Sequence, residues 1–257
     1  MQEAPKNFIS TVKKILKKYI VTDMKWKAAR FLLCLLLIIC LIILPLLFLN
    51  CIDRGYEIMG LAAASFSLED APEINILIIG DSLVIKTDWV ERFDNLLKEK
   101  YKFTEFNIYK SCKSGALAEY GDKRIVLDLI EYHPDIVIIA FGTNDVNVTE
   151  LKRYREAMEN MVEKSEKYGA GVFVNFIGPF EPYACKEEYV KYNDILKIIS
   201  YDYGVGIIDI HTPLMRDVEN YLADGIHYSY SGSDVVAGRV FRSITKYIRD
   251  ENILNSF

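Results

Sequence analysis

The chain has little histidine and no paired cysteine motif. Its three histidines, His133, His211 and His227, are widely separated in the 257 residues. None of its five cysteines forms the Cys-x-x-Cys spacing that is typical of zinc sites and redox motifs. The sequence therefore indicates no metal site, and we predict no cofactor. A general base of the imidazole type must be one of these three histidines.

Basic charge is scarce beyond the N-terminal thirty residues. Residues 1–30 carry seven lysines and one arginine against two acids, about +6 by count, whereas the whole chain is at −5. The remainder is therefore at about −11. Proteins that bind nucleic acid need a basic face for phosphate, so the acidic remainder argues against a nucleic-acid partner. The basic N-terminal segment suits anionic lipid headgroups instead.

Charge is absent from residues 31–49, and uncharged residues extend this run to residue 52. Nineteen apolar residues at helical rise come close to the hydrocarbon thickness of a bilayer. We predict a transmembrane signal anchor over residues 31–52. A buried core helix or a cleaved signal peptide would be the alternatives, but the leading segment is long for a signal peptide and no clear Ala-x-Ala site follows.

Positive charge flanks this run on its N-terminal side, where Lys25, Lys27 and Arg30 lie, whereas only Arg54 is close on the other side. This bias predicts a cytoplasmic N-terminus and an extracytoplasmic C-terminal part. Apolar residues recur at helical spacing within residues 1–30, with lysines on the other face. They predict an amphipathic helix on the inner membrane surface, and a solvated basic tail is the alternative.

Strand and helix signals alternate after a predicted linker at residues 53–73. The pattern predicts one α/β domain over residues 74–257, built on a parallel sheet with helices on both faces. In such sheets, ligands bind beyond the carboxyl ends of the strands. The predicted strands are 74–79, 106–109, 136–141, 172–177 and 207–210, and the predicted helices are 89–100, 122–132, 150–168, 186–203 and 231–250.

A serine lies where the first predicted strand turns, in the string Gly80-Asp81-Ser82-Leu83. A serine at such a turn can present its hydroxyl at the sheet edge among backbone N–H groups. The string is not a Gly-x-Ser-x-Gly elbow, because Val84 occupies the second glycine position. Ser82 is the predicted nucleophile, and a helix cap is its alternative role.

The predicted base is His227, which follows Asp224 by three residues across Gly225. This spacing lets the carboxylate accept from one ring nitrogen while the other nitrogen faces the serine. His133 precedes a predicted strand, at the end opposite the site. His211 follows the fifth predicted strand but has no acid at matching spacing.

In their order along the chain, these strings together with Gly115 and Gly142-Thr143-Asn144-Asp145 resemble the SGNH, or GDSL-type, hydrolase family. The resemblance spans about residues 74–248 and implies a flavodoxin-like α/β/α sandwich. It also implies a Ser82–His227–Asp224 triad and an oxyanion hole formed by the Ser82 N–H, the Gly115 N–H and the Asn144 amide. Gly121 is a weaker alternative to Gly115 as the glycine that supplies an oxyanion donor. We interpret the neighbouring Asp81 and Asp145 as structural, capping or bracing loops.

This resemblance and the predicted membrane anchor together indicate an extracytoplasmic serine esterase. We expect it to act on O-acyl, chiefly O-acetyl, esters of cell-envelope glycans. An O-acetyltransferase, a lipid-ester acylhydrolase and a non-catalytic binding module on the same fold are alternatives. Tyr183, Tyr228 and Tyr230 are candidates for stacking on sugar rings.

Among the cysteines, Cys112 and Cys185 fall in predicted loops of the outer domain. A disulfide between them is chemically permitted outside the cytoplasm. Sequence alone does not show whether their Cα atoms come close enough to pair.

Overall fold

The structure is a computed structural model, and it describes residues 73–181 and 188–255, with side chains up to residue 248. The predicted amphipathic segment (1–30) and membrane span (31–52), and the linker (53–73) except for its last residue, lie outside this range. Within the described ranges, no helix is both long enough and apolar enough to cross a bilayer. The span at 31–52 therefore stays a prediction.

One sheet of five parallel strands, in the order β2-β1-β3-β4-β5, organises the described residues. The central strands are almost fully buried, as expected for a parallel sheet covered on both faces. The elements are β1 (Glu73–Gly80), α1 (Ser82–Ile85), α2 (Trp89–Lys100), β2 (Glu105–Cys112), α3 (Ala118–Tyr132), β3 (Ile136–Ala140), α4 (Leu151–Tyr168), β4 (Gly171–Asn175), α5 (Glu188–Tyr203), β5 (Gly206–Ile208), α6 (His211–Leu214), α7 (Val218–Tyr221) and α8 (Tyr230–Asn255).

Alternate side chains of β1 point into two separate cores. Leu77 and Ile79 pack in a cluster with residues of α3, α4 and α5, whereas Ile76 and Ile78 pack with residues of α2 and α8. This division follows from the period of two along a strand. The three-layer α/β/α arrangement confirms the predicted parallel-sheet α/β fold.

The predicted element boundaries differ from the structure mainly near the site. Helix α3 begins at Ala118, four residues before the predicted start, because the buried Asp145 carboxylate accepts from the Ala118 N–H at 3.1 Å. Strand β2 extends to Cys112 along its pairing with β1. The four-residue helices α1, α6 and α7 were not predicted, because a single turn carries no hydrophobic periodicity.

Candidate active site

The predicted site residues converge at the carboxyl ends of the strands. Ser82 opens α1 directly after β1, Gly115 follows β2, and Asn144 follows β3. The loop that precedes α8 carries Asp224 and His227. The order of the strands reverses at β1, which lies between β2 and β3, and ligands of such sheets bind at this kind of switch point.

A continuous hydrogen-bonded chain joins Ser82, His227 and Asp224. The Nε2 atom of His227 lies 3.1 Å from Ser82 Oγ, and its Nδ1 atom lies 2.8 Å from Asp224 Oδ2. The nucleophile and the base are 145 residues apart in sequence. This geometry is what transfer of the serine proton to an imidazole requires, with the carboxylate holding the ring.

Asp224 also shapes the loop that carries His227. Its Oδ1 atom accepts from the backbone N–H groups of Ile226 at 3.1 Å and His227 at 2.8 Å. Gly225 between them has a φ of +78°, a conformation that glycine adopts without strain. The backbone N–H of His227, together with its ring, holds the pKa of Asp224 below its usual range. The carboxylate therefore remains charged beside the imidazole.

Helix α1 presents the Ser82 hydroxyl. Asp81 caps this helix, because its Oδ1 atom accepts from the Leu83 N–H at 2.9 Å. The N–H of Ser82 itself, at the first position of the helix, has no intrahelical acceptor and is available to an anion. The turn needs glycine at position 80, where a Cβ would lie 2.8 Å from the carbonyl oxygen of Ala140.

The Asn144 amide, one of the three predicted oxyanion donors, contacts the chain next to each of the other two. Its Nδ2 atom donates to Asp81 Oδ2 at 2.8 Å and to the carbonyl oxygen of Ala116 at 3.1 Å. Asp81 adjoins Ser82, and Ala116 adjoins Gly115, so the Asn144 amide lies between the other two donors. Both of its amide hydrogens have protein acceptors here. To donate to an oxyanion, the amide must share or exchange its bond to Ala116.

The Asp81 carboxyl is buried between these groups, with 1% of its surface exposed. Burial raises the pKa of Asp81 to about 6, and nearby Asp145 contributes to this increase. The hydrogen bonds from Leu83 and Asn144 oppose it. This carboxylate braces both the nucleophile turn and the Asn144 amide, in keeping with the structural role expected from the sequence.

Asp145 braces the neighbouring loop. Its carboxylate is fully buried and accepts from the Ala118 N–H and from the Thr149 hydroxyl, the latter at 2.8 Å. Burial raises the pKa of Asp145 as well. Asp145 therefore ties the start of α3 to the loop that carries Asn144.

The two candidate glycines have different environments. Gly115 is exposed, has a φ of +72°, and a Cβ added there would meet no atom within 4 Å. Gly121 lies inside α3, where a Cβ would lie 2.4 Å from the Phe141 ring. Gly121 is thus required for helix packing, and the open space at Gly115 suits a donor that a substrate can approach.

The other two histidines lie away from the hydrogen-bonded chain. His133 ends α3 at the amino edge of the sheet, with its Nδ1 atom against the Tyr168 hydroxyl. His211 opens α6, with its ring centroid 5.1 Å from that of Tyr189, and burial lowers the pKa of His211. Of the three histidines, His227 is the one that contacts Ser82 Oγ.

The stacking candidates divide into different environments. Tyr228 is buried, with 6% of its surface exposed, and burial raises its pKa, so the expectation that it stacks on a sugar is wrong. It forms an isolated antiparallel bridge with Leu222, which is also buried. Tyr230 is 73% exposed, with the Arg92 guanidinium against its ring. Tyr183 lies outside the described residues.

The sequence analysis did not identify Arg92 as a residue near the site. The signal that could have identified it is the Asp88–Arg92 pair, whose i, i+4 spacing at the start of a predicted helix is typical of an ion pair.

Cys112 is a half-buried free thiol that donates to the carbonyl oxygen of Ile78, and burial raises its pKa to about 12. Cys185 lies outside the described residues, so the structure does not test whether Cys112 and Cys185 pair.

Known proteins resemble this chain in both sequence and fold. Residues 78–235 match the model of the GDSL-like lipase/acylhydrolase family. An acetylxylan esterase of Xylanibacter ruminicola is 26% identical over 136 residues, which cover 43% of this chain and 28% of that protein. A multidomain esterase of Ruminococcus flavefaciens is 26% identical over 129 residues, which cover 46% of this chain and 16% of that protein.

The matched region spans less than a third of the length of either of these relatives. Among solved structures, a lipase/acylhydrolase from Enterococcus faecalis superposes with a TM-score of 0.61 at 19% identity. The superposition covers 67% of this chain and 96% of that structure. At this identity, the likeness concerns the fold.

Proposed function

The chain belongs to the GDSL-like lipase/acylhydrolase family of serine ester hydrolases, and we propose that it is a membrane-anchored extracytoplasmic esterase. Its substrates are O-acyl, chiefly O-acetyl, esters of cell-envelope glycans. The observation that carries the catalytic part is the hydrogen-bonded chain from Ser82 through His227 to Asp224. The name of one relative, acetylxylan esterase, supports the glycan ester. The name of the other, multidomain esterase, supports ester hydrolysis.

In the proposed reaction, Ser82 Oγ attacks the ester carbonyl carbon while His227 Nε2 takes the hydroxyl proton. When the tetrahedral intermediate collapses, the bond to the alcohol oxygen breaks, and His227 returns the proton to that oxygen. Water then attacks the acyl-serine by the same route, releasing the acid and restoring Ser82. Asp224 stabilises the imidazolium that forms in both halves.

Negative charge develops on the carbonyl oxygen during each attack. The N–H groups of Ser82 and Gly115 and the amide of Asn144 are the proposed donors to it. Asp81 holds the Asn144 amide between the other two donors, and this bond fixes the orientation before the substrate arrives. Such preorganisation is the usual source of oxyanion stabilisation.

A small cavity supports acetyl as the acyl group. Its volume is about 20 Å³, which suffices for a group about the size of one water molecule or methyl. Leu83, Thr143 and Tyr228 line it, and these residues are the immediate chain neighbours of Ser82, Asn144 and His227. Trp89 and Phe141 also line this cavity, so an acyl chain longer than acetyl that entered it would meet aromatic rings.

We therefore expect the esterase to prefer short acyl chains. On p-nitrophenyl esters, kcat/KM should fall by at least about tenfold from acetyl to butyryl, since butyryl adds two methylenes and one methylene in a hydrophobic pocket is worth this much. The measurement is a chain-length series from acetyl to octanoyl. A preference for octanoyl would contradict the acetyl assignment and favour a lipid-ester acylhydrolase.

An acyltransferase would use the same groups, with a sugar hydroxyl in place of water in the second step. Product analysis during glycan turnover separates the two: a hydrolase releases acetate, whereas a transferase moves acetyl to an added acceptor. A non-catalytic binding module would release no acid from any ester. The hydrogen-bonded Ser82–His227 pair favours a catalytic domain over such a module.

The membrane part of the proposal rests on the uncharged run at 31–52 and the charge bias across it. Protease added to intact spheroplasts should digest the C-terminal domain, because this domain lies outside the membrane, and should spare residues 1–30. The measurement is immunoblotting with a tag at each terminus. Protection of the C-terminal tag, with digestion in lysed cells as the control, would contradict the orientation.

A further inference from the structure

Arg92 on α2 and Tyr230 on α8 form a stacked pair with two acids. The guanidinium carbon of Arg92 lies 3.6 Å from the centroid of the Tyr230 ring. The Nη2 atom of Arg92 donates to Asp88 Oδ2 at 2.7 Å, and its Nη1 atom donates to Asp234 Oδ1. We call Asp88, Arg92, Tyr230 and Asp234 the aromatic platform.

The platform adjoins the two chain segments that supply the nucleophile and the base. Tyr230 follows His227 by three residues, so their Cα atoms are at most about 11 Å apart. Asp88 follows Ser82 by six residues, in the segment between α1 and α2. The ring therefore lies within a few sugar units of the hydroxyl that would attack the ester.

The Tyr230 ring is both supported and accessible. Only 16% of the Arg92 side chain is exposed, whereas Tyr230 is 73% exposed. The guanidinium covers one region of the ring and is itself fixed by two carboxylates. An aromatic ring held in this way loses little conformational freedom when a ligand stacks on it.

The charge of the platform selects the kind of ligand. Two carboxylates against one guanidinium leave an excess of negative charge, which disfavours a phosphate headgroup or another anion. The Asp88 and Asp234 side chains are 52% and 57% exposed, so their free lone pairs can accept from hydroxyl groups. A ring with many hydroxyls and no charge matches both features.

We propose that the aromatic platform binds a neutral sugar ring of the glycan, next to the sugar whose ester is cleaved. This assignment rests on the proposed function, and it adds a recognition site for the alcohol part of the substrate. Tyr230 supplies the stacking surface, and Asp88 and Asp234 supply acceptors at its margin. Arg92 is a positioning residue that holds the ring.

The test compares two substrates on the full chain in detergent. Tyr230→Ala should lower kcat/KM for an acetylated xylo-oligosaccharide by about tenfold, mainly through KM, which corresponds to the loss of one stacking contact. Hydrolysis of p-nitrophenyl acetate, which has no sugar, should stay within about twofold. Tyr230→Phe should behave as the wild type on both substrates. The control is Phe103→Ala, at a residue that is 99% exposed and precedes β2, at the amino ends of the strands and away from the site at their carboxyl ends.

A binding measurement separates this proposal from the esterase proposal. Titration of Ser82→Ala with an unacetylated xylo-oligosaccharide should give saturable binding, and Ser82→Ala/Tyr230→Ala should lose it. Equal loss on both substrates with a lowered melting temperature would assign Tyr230 a merely structural role. If Tyr230→Ala leaves kcat/KM on the acetylated oligosaccharide unchanged, the sugar assignment is wrong. A loss of kcat/KM in this variant that is confined to a short-chain phospholipid ester would also overturn it. If the wild type hydrolyses no ester but the oligosaccharide still binds, the esterase proposal is wrong and the sugar-binding proposal stands.

Discussion

Ser82→Ala should abolish ester hydrolysis while leaving the fold intact. The hydroxyl contacts His227 Nε2 at 3.1 Å and carries the proposed covalent step, so kcat should fall by roughly 10⁴- to 10⁶-fold. Ser82 is 8% exposed, and alanine fits in its place without a clash. The measurements are turnover of p-nitrophenyl acetate and covalent labelling with a fluorophosphonate.

The matched control is Ser243→Ala, at a serine thirteen residues along α8 from its start, about 20 Å away along the helix. Its turnover and labelling should equal those of the wild type, and both variants should keep the wild-type circular dichroism. Labelling that persists on Ser82→Ala would show that another residue is the nucleophile.

His227→Ala should be almost as damaging as the loss of the serine, whereas His211→Ala should stay within about tenfold of the wild type. The reason is positional, because His227 contacts both Ser82 Oγ and Asp224 Oδ2, and His211 contacts neither. Asp224→Asn should lower kcat by roughly 10²- to 10⁴-fold with little change in KM, since it alters the orientation and charge of the ring. The measurement is kcat and KM for the three variants on one acetyl ester.

The three variants also test the assignment of the base. If His211→Ala abolishes turnover and His227→Ala retains it, the proposed triad is wrong. If Asp224→Asn changes KM alone, Asp224 is not part of the triad. Its role would then be to shape the loop, through its bonds to the Ile226 and His227 N–H groups.

The sequence sufficed for the sheet and for the residues that the structure brings together. Continuous apolar runs, such as 136–140, indicate strands buried on both faces. The amphipathic helix 89–100 carries a strong periodic signal, and it has its predicted bounds. Asp224 and His227 were also accessible to sequence reasoning, because their contact lies within three residues.

The partners of Asn144 and the position of Tyr228 were not accessible in this way. Asn144 meets Asp81 across 63 residues, and no local pattern encodes which acceptor its amide finds. Tyr228 is buried and forms an isolated bridge with Leu222, and a single bridge carries no repeating sequence signal. Arg92 meets Asp234 across 142 residues, so its stacking on Tyr230 depends on how α2 and α8 pack.

The strand order has a consequence for synthesis of the chain. Among the described strands, β1 is synthesised first, yet its second neighbour is β3, whose pairing residues follow about sixty positions later. At about 5–20 residues per second, its apolar edge waits several seconds for that partner. The base, His227, follows the nucleophile, Ser82, by 145 residues, so it is synthesised only near the end of the described domain. Fluorophosphonate labelling of chains during cell-free synthesis should therefore appear only after residue 227 has been made, since no shorter fragment contains both groups.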